Sequence, residues 1–160
     1  MKKVIAKELQ ESWVDKSSWG PGPWQQEPDR IEWRGKRPLP LFDSTRRIWG
    51  SMWLCRGTGK PPWYMMYYNE VPAEVHGGLT YGDMCRPESH ICHTKTKDDF
   101  EPYWLGFDTG HFGDLCPGAN ATYAHLGGGT LFPGRYRDVG YVKAEIENLL
   151  EQALNAANIK

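Results

Sequence analysis

The alternation of apolar and polar side chains predicts a β-sheet in the first third of the chain. Residues 30–34, Arg-Ile-Glu-Trp-Arg, alternate in the way that a half-buried strand does. Apolar segments at 39–42 and 48–55 follow, so we predict three antiparallel strands. The second half offers two more strand candidates, 75–81 and 103–108, and each runs directly into polar residues.

A helical spacing of apolar side chains identifies residues 141–157 as the clearest regular element. The side chains at this spacing are Val142, Ile146, Leu149, Leu150, Ala153 and Ala157. Asp138 stands where an N-terminal cap belongs. We predict an amphipathic helix that packs on the sheet. The helix could alternatively mediate a homodimer, although its apolar stripe is narrow enough to be covered by the sheet of its own chain.

Glycine and proline indicate where the connections lie. The segment Trp19-Gly-Pro-Gly-Pro-Trp24 cannot be regular helix because of its prolines. Residues 56–63 form a basic loop, and residues 115–135, rich in Gly and Ala, are predicted to be an irregular surface excursion. The predicted fold is a single α+β domain over residues 1–160, mainly an antiparallel sheet with long loops and one C-terminal amphipathic helix packed on it. Residues 1–18 are expected at its periphery.

Length and charge narrow the classes of protein. A chain of 160 residues can bury a core without disulfides or a metal. No stretch approaches the roughly 20 apolar residues of a membrane span, and the start has no apolar run of signal-peptide length. We therefore expect a cytoplasmic protein without membrane contact. The lack of a basic tail or lysine-rich helix argues against stable binding of duplex DNA.

The charge is unevenly distributed although the net value is only −1. Residues 1–60 hold 12 Lys and Arg against 7 Asp and Glu, whereas residues 61–160 hold 7 against 13. A basic first half suits an anionic ligand on which acidic and imidazole groups of the second half could act. The alternative is that the two faces simply solvate and attract each other.

The four cysteines are predicted to be reduced thiols. They stand at positions 55, 85, 92 and 116 without a Cys-x-x-Cys pair. The cluster Cys85-x4-His90-x-Cys92-His93 contains zinc-ligating residue types, but its spacing fits no common zinc finger or ribbon. No structural zinc is favoured.

The densest group of titratable side chains follows the last predicted strand. Within residues 104–114, Asp108, His111 and Asp114 occur at three-residue intervals among glycines. A Gly-rich loop carried by a rigid strand is a common place for a functional site. Either carboxylate could orient His111 for acid and base catalysis, or both could join it on a divalent metal. The alternative is that the carboxylates cap turns and His111 satisfies backbone groups.

A second imidazole, His76, lies in the segment Val-His-Gly-Gly-Leu-Thr-Tyr at 75–81. Two histidines can cleave a phosphodiester without metal: one withdraws the proton of a ribose hydroxyl and the other protonates the leaving oxygen. Thr80 and Tyr81 add hydrogen-bond donors. His93 is a further candidate for contact with phosphate.

Aromatic and basic side chains supply candidate contacts to a nucleotide. The chain has 8 Trp, 8 Tyr and 5 Phe, which pack sheets but also stack on bases. Trp24 is a candidate stacking surface, and Arg30 is a candidate contact to phosphate.

Five motifs together resemble those of a widespread family of small phage and prophage proteins. They are Trp24-x2-Glu-Pro-Asp-Arg-x-Glu-Trp33, Val75-His-Gly-Gly-Leu-Thr-Tyr-Gly82, Ile91-Cys-His93, Trp104-x-Gly-Phe-Asp-x-x-His-x-Gly-Asp114 and Tyr136-Arg-Asp-x-x-Tyr-Val142. The resemblance spans about residues 19–155. It implies a relation to phage anti-CBASS proteins, which cleave the cyclic oligonucleotide signals of bacterial immunity, and hence a cytoplasmic role in an infected bacterium. Thr109-Gly110 departs from the Cys-Ala that is usual in the family, and 52–55 departs from a Gly-Tyr-Val-Gly-like strand, but neither change touches a candidate His or Asp.

Three hypotheses follow. The first is a phage phosphodiesterase that cleaves a cyclic di- or oligonucleotide, such as cyclic GMP-AMP, by a metal-free two-histidine mechanism in which His76 and His111 act with Asp108 or Asp114. The second is a non-catalytic sponge that sequesters the same nucleotide. The third is a metal-dependent nuclease or hydrolase with His76, Asp108, His111 and Asp114 as ligands of a divalent ion.

Overall fold

The computed structural model describes residues 13–28, 30–34, 41–46, 49–54, 63, 65–84 and 103–156. Within 30–34, 41–46 and 49–54, and at residue 84, only the backbone is described. The predictions that concern residues 1–12, the basic loop at 56–62, the Cys85–His93 cluster and Ala157 therefore lie outside the described residues.

The main sheet is antiparallel and has five described strands: β1 Arg30–Arg34, β2 Leu41–Arg46, β3 Trp49–Leu54, β4 Tyr81–Met84 and β5 Tyr103–Asp108. Their spatial order in the sheet is β1-β2-β3-β5-β4. The three predicted N-terminal strands are confirmed as consecutive antiparallel partners, and the second extends to Arg46, beyond its predicted end at residue 42. β5 lies between β3 and β4, with Trp49 opposite Asp108 and Tyr81 opposite Gly106. Pairing with β3 therefore fixes the position of Asp108, the polar end of β5, where the candidate site begins.

The prediction of a strand over 75–81 is wrong, because the chain turns at residues 76 and 77 and extends only from Tyr81. Gly78 N donates to Val75 O at 2.9 Å to close this turn. Gly77 and Gly78 adopt φ angles of 66° and 84°, in the left-handed region that glycine enters at no steric cost. Two such residues in succession break strand pairing and leave His76 in a turn.

The C-terminal helix is confirmed as α2, Val139–Ala156. Oδ1 of Asp138 accepts a hydrogen bond of 2.7 Å from Tyr141 N, which is the predicted N-terminal cap. The buried side chains of α2 are Val142, Ile146, Leu149, Leu150, Ala153 and Leu154. They form one core with Leu105 and Phe107 of β5. The helix thus packs on the sheet of its own chain.

Residues 115–135 are more regular than predicted. They contain α1, Pro117–His125, and a two-residue strand β7, Arg135–Tyr136, which pairs in parallel with β6, Asp114–Leu115. Proline favours the first turn of a helix because its φ is fixed and its missing N–H is not needed there. α1 has no apolar stripe, so the sequence pattern gave no sign of it. It contacts the N-terminal segment: the ring of Trp19 lies so close to Gly118 that a Cβ there would be 2.8 Å from Cζ2.

Glu27 joins the segment 13–28 to the start of α2. The predicted loop around Trp19–Trp24 holds two short 3-10 turns and no α-helix. Glu27 accepts hydrogen bonds from Tyr136 OH at 2.6 Å and from Val139 N at 3.3 Å. These bonds fix the connection from β7 to α2, which carries part of the candidate site. None of the helices in the described part of the chain is long and apolar enough to cross a bilayer.

Candidate functional site

The candidate site assembles where three segments meet. His76 comes from the turn before β4, His111 and Asp114 come from the loop after β5, and Arg137 and Tyr141 come from the junction of β7 and α2. The parallel pairing of Asp114 with Arg135 brings the third segment beside the second. The site therefore depends on contacts across 23 to 65 positions of sequence.

Asp114 is the centre of the cluster, and its side chain is only 1% exposed. Oδ2 accepts hydrogen bonds from His76 Nε2 at 2.7 Å and from the backbone N of His111 at 3.0 Å. Oδ1 accepts one from Arg137 Nε at 2.8 Å. Burial pushes the pKa of Asp114 upward, but the hydrogen bonds from Arg137, His76 and His111 outweigh it and hold the pKa below the ordinary 3.8. The carboxylate is thus ionised at neutral pH and fixes three partners at once.

His76 is held by both ring nitrogens. Nε2 donates to Asp114, because an ionised carboxylate can only accept. Nδ1 shares a hydrogen bond of 2.9 Å with the hydroxyl of Tyr141, and the backbone N of His76 donates to Glu145 Oε2 at 2.8 Å. With neither nitrogen open to a ligand in this arrangement, His76 can act on a substrate only through Tyr141 or by giving up one of these bonds.

Tyr141 completes a series of carboxylate, imidazole and hydroxyl from Asp114 through His76. In unrelated hydrolases the imidazole of such a series withdraws the proton of the hydroxyl, and here the raised pKa of Tyr141 opposes that step. Burial and the nearby Glu145 carboxylate raise the pKa of Tyr141 above its ordinary 10.0, against an opposing effect of Arg137. The phenol therefore keeps its proton at neutral pH, which suits it to donate a proton.

His111 has the open imidazole of the site. Its Nδ1 lies 3.5 Å from Oδ1 of Asp108 and 3.7 Å from Oδ2 of Asp114, which is ion-pair range but too long for a good hydrogen bond. Nδ1 is buried without a hydrogen-bond partner. Nε2 also has none among the described residues, and the side chain is 33% exposed. The two imidazole rings meet edge to face, with centroids 5.4 Å apart.

The ring of His111 rests on the backbone of Gly77. A Cβ at residue 77 would lie 2.1 Å from Cε1 of His111, so the position requires glycine for close approach as well as for its positive φ. This contact explains why glycine directly follows His76 in the sequence.

Neither Arg137 nor Tyr141 was predicted from the sequence to be a site residue. Arg137 donates from Nε to Asp114, and its guanidinium carbon lies 4.8 Å from the centroid of the Tyr141 ring. The hydrogen bond to Asp114 raises the pKa of Arg137 further, so the cation is permanent. Its two terminal nitrogens donate no hydrogen bond to a described residue, and the side chain is 21% exposed. The available signal was the motif Tyr136-Arg-Asp-x-x-Tyr-Val142, which puts an Arg and a Tyr at the start of a capped helix.

The other predicted site residues lie in different settings. Asp108 is 39% exposed and accepts a hydrogen bond of 2.9 Å from Gly110 N, so it caps a turn beside His111. Thr80 is exposed and Tyr81 begins β4. Trp24 is 8% exposed and packs edge-on against Tyr136 at 5.2 Å, which leaves little of its ring for stacking on a base.

Two predicted ligand contacts are not located. Arg30 begins β1, but its side chain is outside the described part of the chain. His93 lies outside the described residues altogether.

Cys116 is a free, buried thiol, as predicted for a reduced cysteine. Burial raises its pKa to about 11, and it donates to Thr109 O at 3.4 Å. It remains protonated and is no candidate nucleophile. The other three cysteines lie outside the described residues.

The cluster also offers a donor set for a metal ion. His76, His111 and Asp114 each present one ligand atom, and these atoms all lie within 4.8 Å of one another. Two imidazoles and a carboxylate suit divalent transition metals. Asp108 of the predicted four-residue set is adjacent through His111. An ion would have to replace the hydrogen that now joins His76 to Asp114.

An apolar groove of about 310 Å³ adjoins the cluster at His111. Its walls include Phe112, Leu131, Phe132 and Pro133, with Gly113 and Gly134 between them. Phe112 follows His111 directly, so the groove and the titratable cluster are continuous.

Comparison with known proteins gave no match. No protein-family model matches the sequence, and neither curated proteins nor solved structures show significant similarity to it.

Proposed function

We propose that this protein is a phosphodiesterase that cleaves cyclic di- or oligonucleotides by proton transfer. The observation that carries the proposal is the juxtaposition of an open imidazole, His111, with the Asp114–His76–Tyr141 series, whose carboxylate is buried, and the Arg137 cation. A reaction of this kind needs one group that removes a proton, one that supplies a proton, and a positive charge for the phosphate. The cluster offers all three.

In the proposed mechanism, His111 removes the proton of the ribose hydroxyl next to the scissile phosphate. The resulting oxygen attacks phosphorus, forming a new P–O bond while the bond to the 5′ oxygen breaks. Tyr141 protonates the departing oxygen, and the phenolate left behind is stabilised by the nearby Arg137 cation. The proton on His111 then returns to Tyr141. The products carry a 2′,3′-cyclic phosphate and a 5′-hydroxyl, so atoms and charges balance.

Arg137 is the proposed contact to the non-bridging phosphate oxygens. Its Nε is committed to Asp114, and the planar guanidinium still presents two terminal nitrogens. Asp114 therefore orients two proposed functional groups, His76 and Arg137, through its two oxygens.

The choice of cyclic nucleotides as substrate rests on the resemblance to phage anti-CBASS proteins and on the basic first half of the chain. The proposed setting is accordingly the cytoplasm of an infected bacterium, where the enzyme would remove an immune signal.

The proposal is tested by incubating the purified protein with a panel of cyclic dinucleotides, with and without EDTA, and identifying products by chromatography and mass spectrometry. We expect equal rates in both arms and a product with a 2′,3′-cyclic phosphate. Binding of a nucleotide without any product would instead establish the sponge.

A second candidate is metal-dependent hydrolysis, which the convergence of His76, His111 and Asp114 within 4.8 Å favours. A bound divalent ion would supply a hydroxide nucleophile near neutral pH. Loss of turnover in EDTA with rescue by Zn²⁺ or Mn²⁺, and a product without a cyclic phosphate, would replace proton transfer by this mechanism.

Replacing Tyr141 with Phe should lower kcat about 100-fold with little change in KM, because the variant loses the proton donor but keeps the ring that contacts His76 and Arg137. An acid that must be protonated supports activity below its pKa and loses it as the pH rises through that value. Since the pKa of Tyr141 is raised above 10.0, deprotonation of Tyr141 should not limit wild-type activity up to pH 9.5.

Steady-state kinetics between pH 6 and 9.5 measures both effects. Tyr123→Phe is the matched control, since Tyr123 is an exposed tyrosine of α1. Equal kcat for wild type and Tyr141→Phe would exclude Tyr141 as the acid.

A further inference from the structure

We infer that the groove beside His111 is the subsite for one nucleobase of the substrate, with Phe112 as the stacking surface. The inference rests on the proposed function for the position of the phosphate. It adds a binding site and its ligand class, a planar heteroaromatic ring.

The first observation is that apolar side chains beside the site are exposed to solvent, where they contribute little to the hydrophobic core. Phe112 is fully exposed, and Leu131 is 52% exposed. Both line the groove, together with the partly buried Phe132 and the exposed Pro133. Contiguous apolar surface beside a polar site is a feature of ligand-binding clefts.

The second observation is that backbone hydrogen bonds hold the wall carrying Phe112 in place. Asp114 N donates to His111 O at 3.0 Å, which closes a tight turn around Phe112. Gly113 has a φ of 93° and accepts from Arg135 N at 2.7 Å. Gly134 approaches so closely that a Cβ there would lie 1.9 Å from Gly113 O. The exposed ring is therefore presented by a fixed loop.

The third observation is that a single side chain of α1 holds the part of the groove formed by Leu131 and Phe132. Oδ1 of Asn120 accepts from Leu131 N at 3.1 Å and from Phe132 N at 2.7 Å, and its Nδ2 donates to Phe132 O at 2.8 Å. Three hydrogen bonds thus order two apolar residues of an otherwise irregular segment. Order that is established before binding reduces the entropy lost when a ligand binds.

The volume and the position of the groove indicate which ligand it would hold. A volume of about 310 Å³ is at the lower end of small-molecule sites, which span roughly 300–1,000 Å³, so the groove has room for one ring system and not for a whole cyclic dinucleotide. His111 is one of the lining residues, and the proposed reaction places the phosphodiester beside it. A base attached to the same nucleotide would then extend along the apolar walls, and an aromatic face stacks on any base.

The test compares Phe112→Ala with two controls. Stacking on one base corresponds to a loss of about 5- to 150-fold in affinity. We expect Phe112→Ala to raise KM for cyclic GMP-AMP by this factor with kcat nearly unchanged, and Phe112→Tyr to retain wild-type KM. Leu126→Ala removes a comparably exposed side chain outside the groove and should change neither constant. Asn120→Ala should raise KM as well, because it frees the wall at Leu131 and Phe132.

Calorimetry separates failure of this inference from failure of the proposed function. The probes are a nucleoside 2′,3′-cyclic monophosphate and inorganic phosphate. Phe112→Ala should weaken binding of the nucleotide and leave binding of phosphate unchanged. Unaltered nucleotide binding and KM in both Phe112→Ala and Asn120→Ala would overturn the inference. A Phe112-dependent nucleotide site in a wild-type protein without turnover would support the groove and reject the phosphodiesterase.

Discussion

Replacing His111 with Ala is expected to lower kcat for cyclic dinucleotide cleavage by about 10²- to 10⁴-fold, the usual contribution of a positioned acid or base. The imidazole of His111 is one-third exposed and has no side-chain hydrogen bond among the described residues, so little stability depends on it. We expect a loss in free energy of unfolding below about 1 kcal/mol. Stopped-assay kinetics and urea unfolding measure the two effects on the same sample.

His125→Ala is the matched control, because His125 is an exposed histidine at the end of α1. His111→Gln keeps a polar side chain over Gly77 and serves if the alanine variant folds poorly. Added imidazole should partly restore turnover in His111→Ala if proton transfer is the missing function. Turnover of both variants within threefold of wild type would remove His111 from the mechanism.

Replacing Asp114 with Asn is expected to have the largest effect on stability. The side chain is 1% exposed and accepts hydrogen bonds from Arg137, His76 and the backbone of His111. An amide of the same shape presents an NH₂ to a donor and leaves the Arg137 cation without its counter-ion. Breaking a buried ion pair by removing one partner costs about 3–5 kcal/mol, and the partial exposure of Arg137 places the expected loss near 3 kcal/mol.

The pH dependence of this loss follows from the lowered pKa of Asp114. A carboxyl whose pKa is lower in the folded state stabilises the fold above its unfolded value, and that contribution is lost as the pH falls through the folded pKa. The stability difference between wild type and Asp114→Asn should therefore be full at pH 5 to 7. This difference should shrink progressively as the pH falls below 3.8, the ordinary pKa of an aspartate side chain.

Urea unfolding at pH 7, 5, 3.5 and 2.5 measures this difference. Asp108→Asn is the control, because Asp108 is 39% exposed and an amide oxygen can still accept from Gly110 N. Its expected effect is below about 1 kcal/mol at every pH. A loss for Asp114→Asn no larger than that of Asp108→Asn would mean that Asp114 does not organise the cluster.

Local pattern was sufficient for several elements. The alternation at 30–34 and the apolar run at 103–108 are strands with those bounds, and the helical spacing with its Asp138 cap gives α2 to within two residues of the predicted start. These signals are strong because side chains at period 2 or 3.6 record which face each element buries. Where periodicity was absent or misleading, as in α1 and at 75–81, the sequence prediction failed.

The candidate site was predicted only in part. The loop after β5 supplied His111 and Asp114, and the Val-His-Gly-Gly segment supplied His76. Their three-dimensional relation was not predictable: His76 was expected to act as acid or base, and both of its ring nitrogens are engaged by Asp114 and Tyr141. The sequence offered no means of telling an open histidine from an engaged one.

The sequence by itself determined the residue types of the site, the Gly-rich loops that carry them and the amphipathic helix that closes the core. Only the tertiary structure decided which of these groups meet. Antiparallel pairing of β4 with β5 and parallel pairing of β6 with β7 bring His76 and Arg137 to opposite oxygens of Asp114. Strand register and helix docking depend on contacts between residues far apart in sequence, and local periodicity carries no record of them.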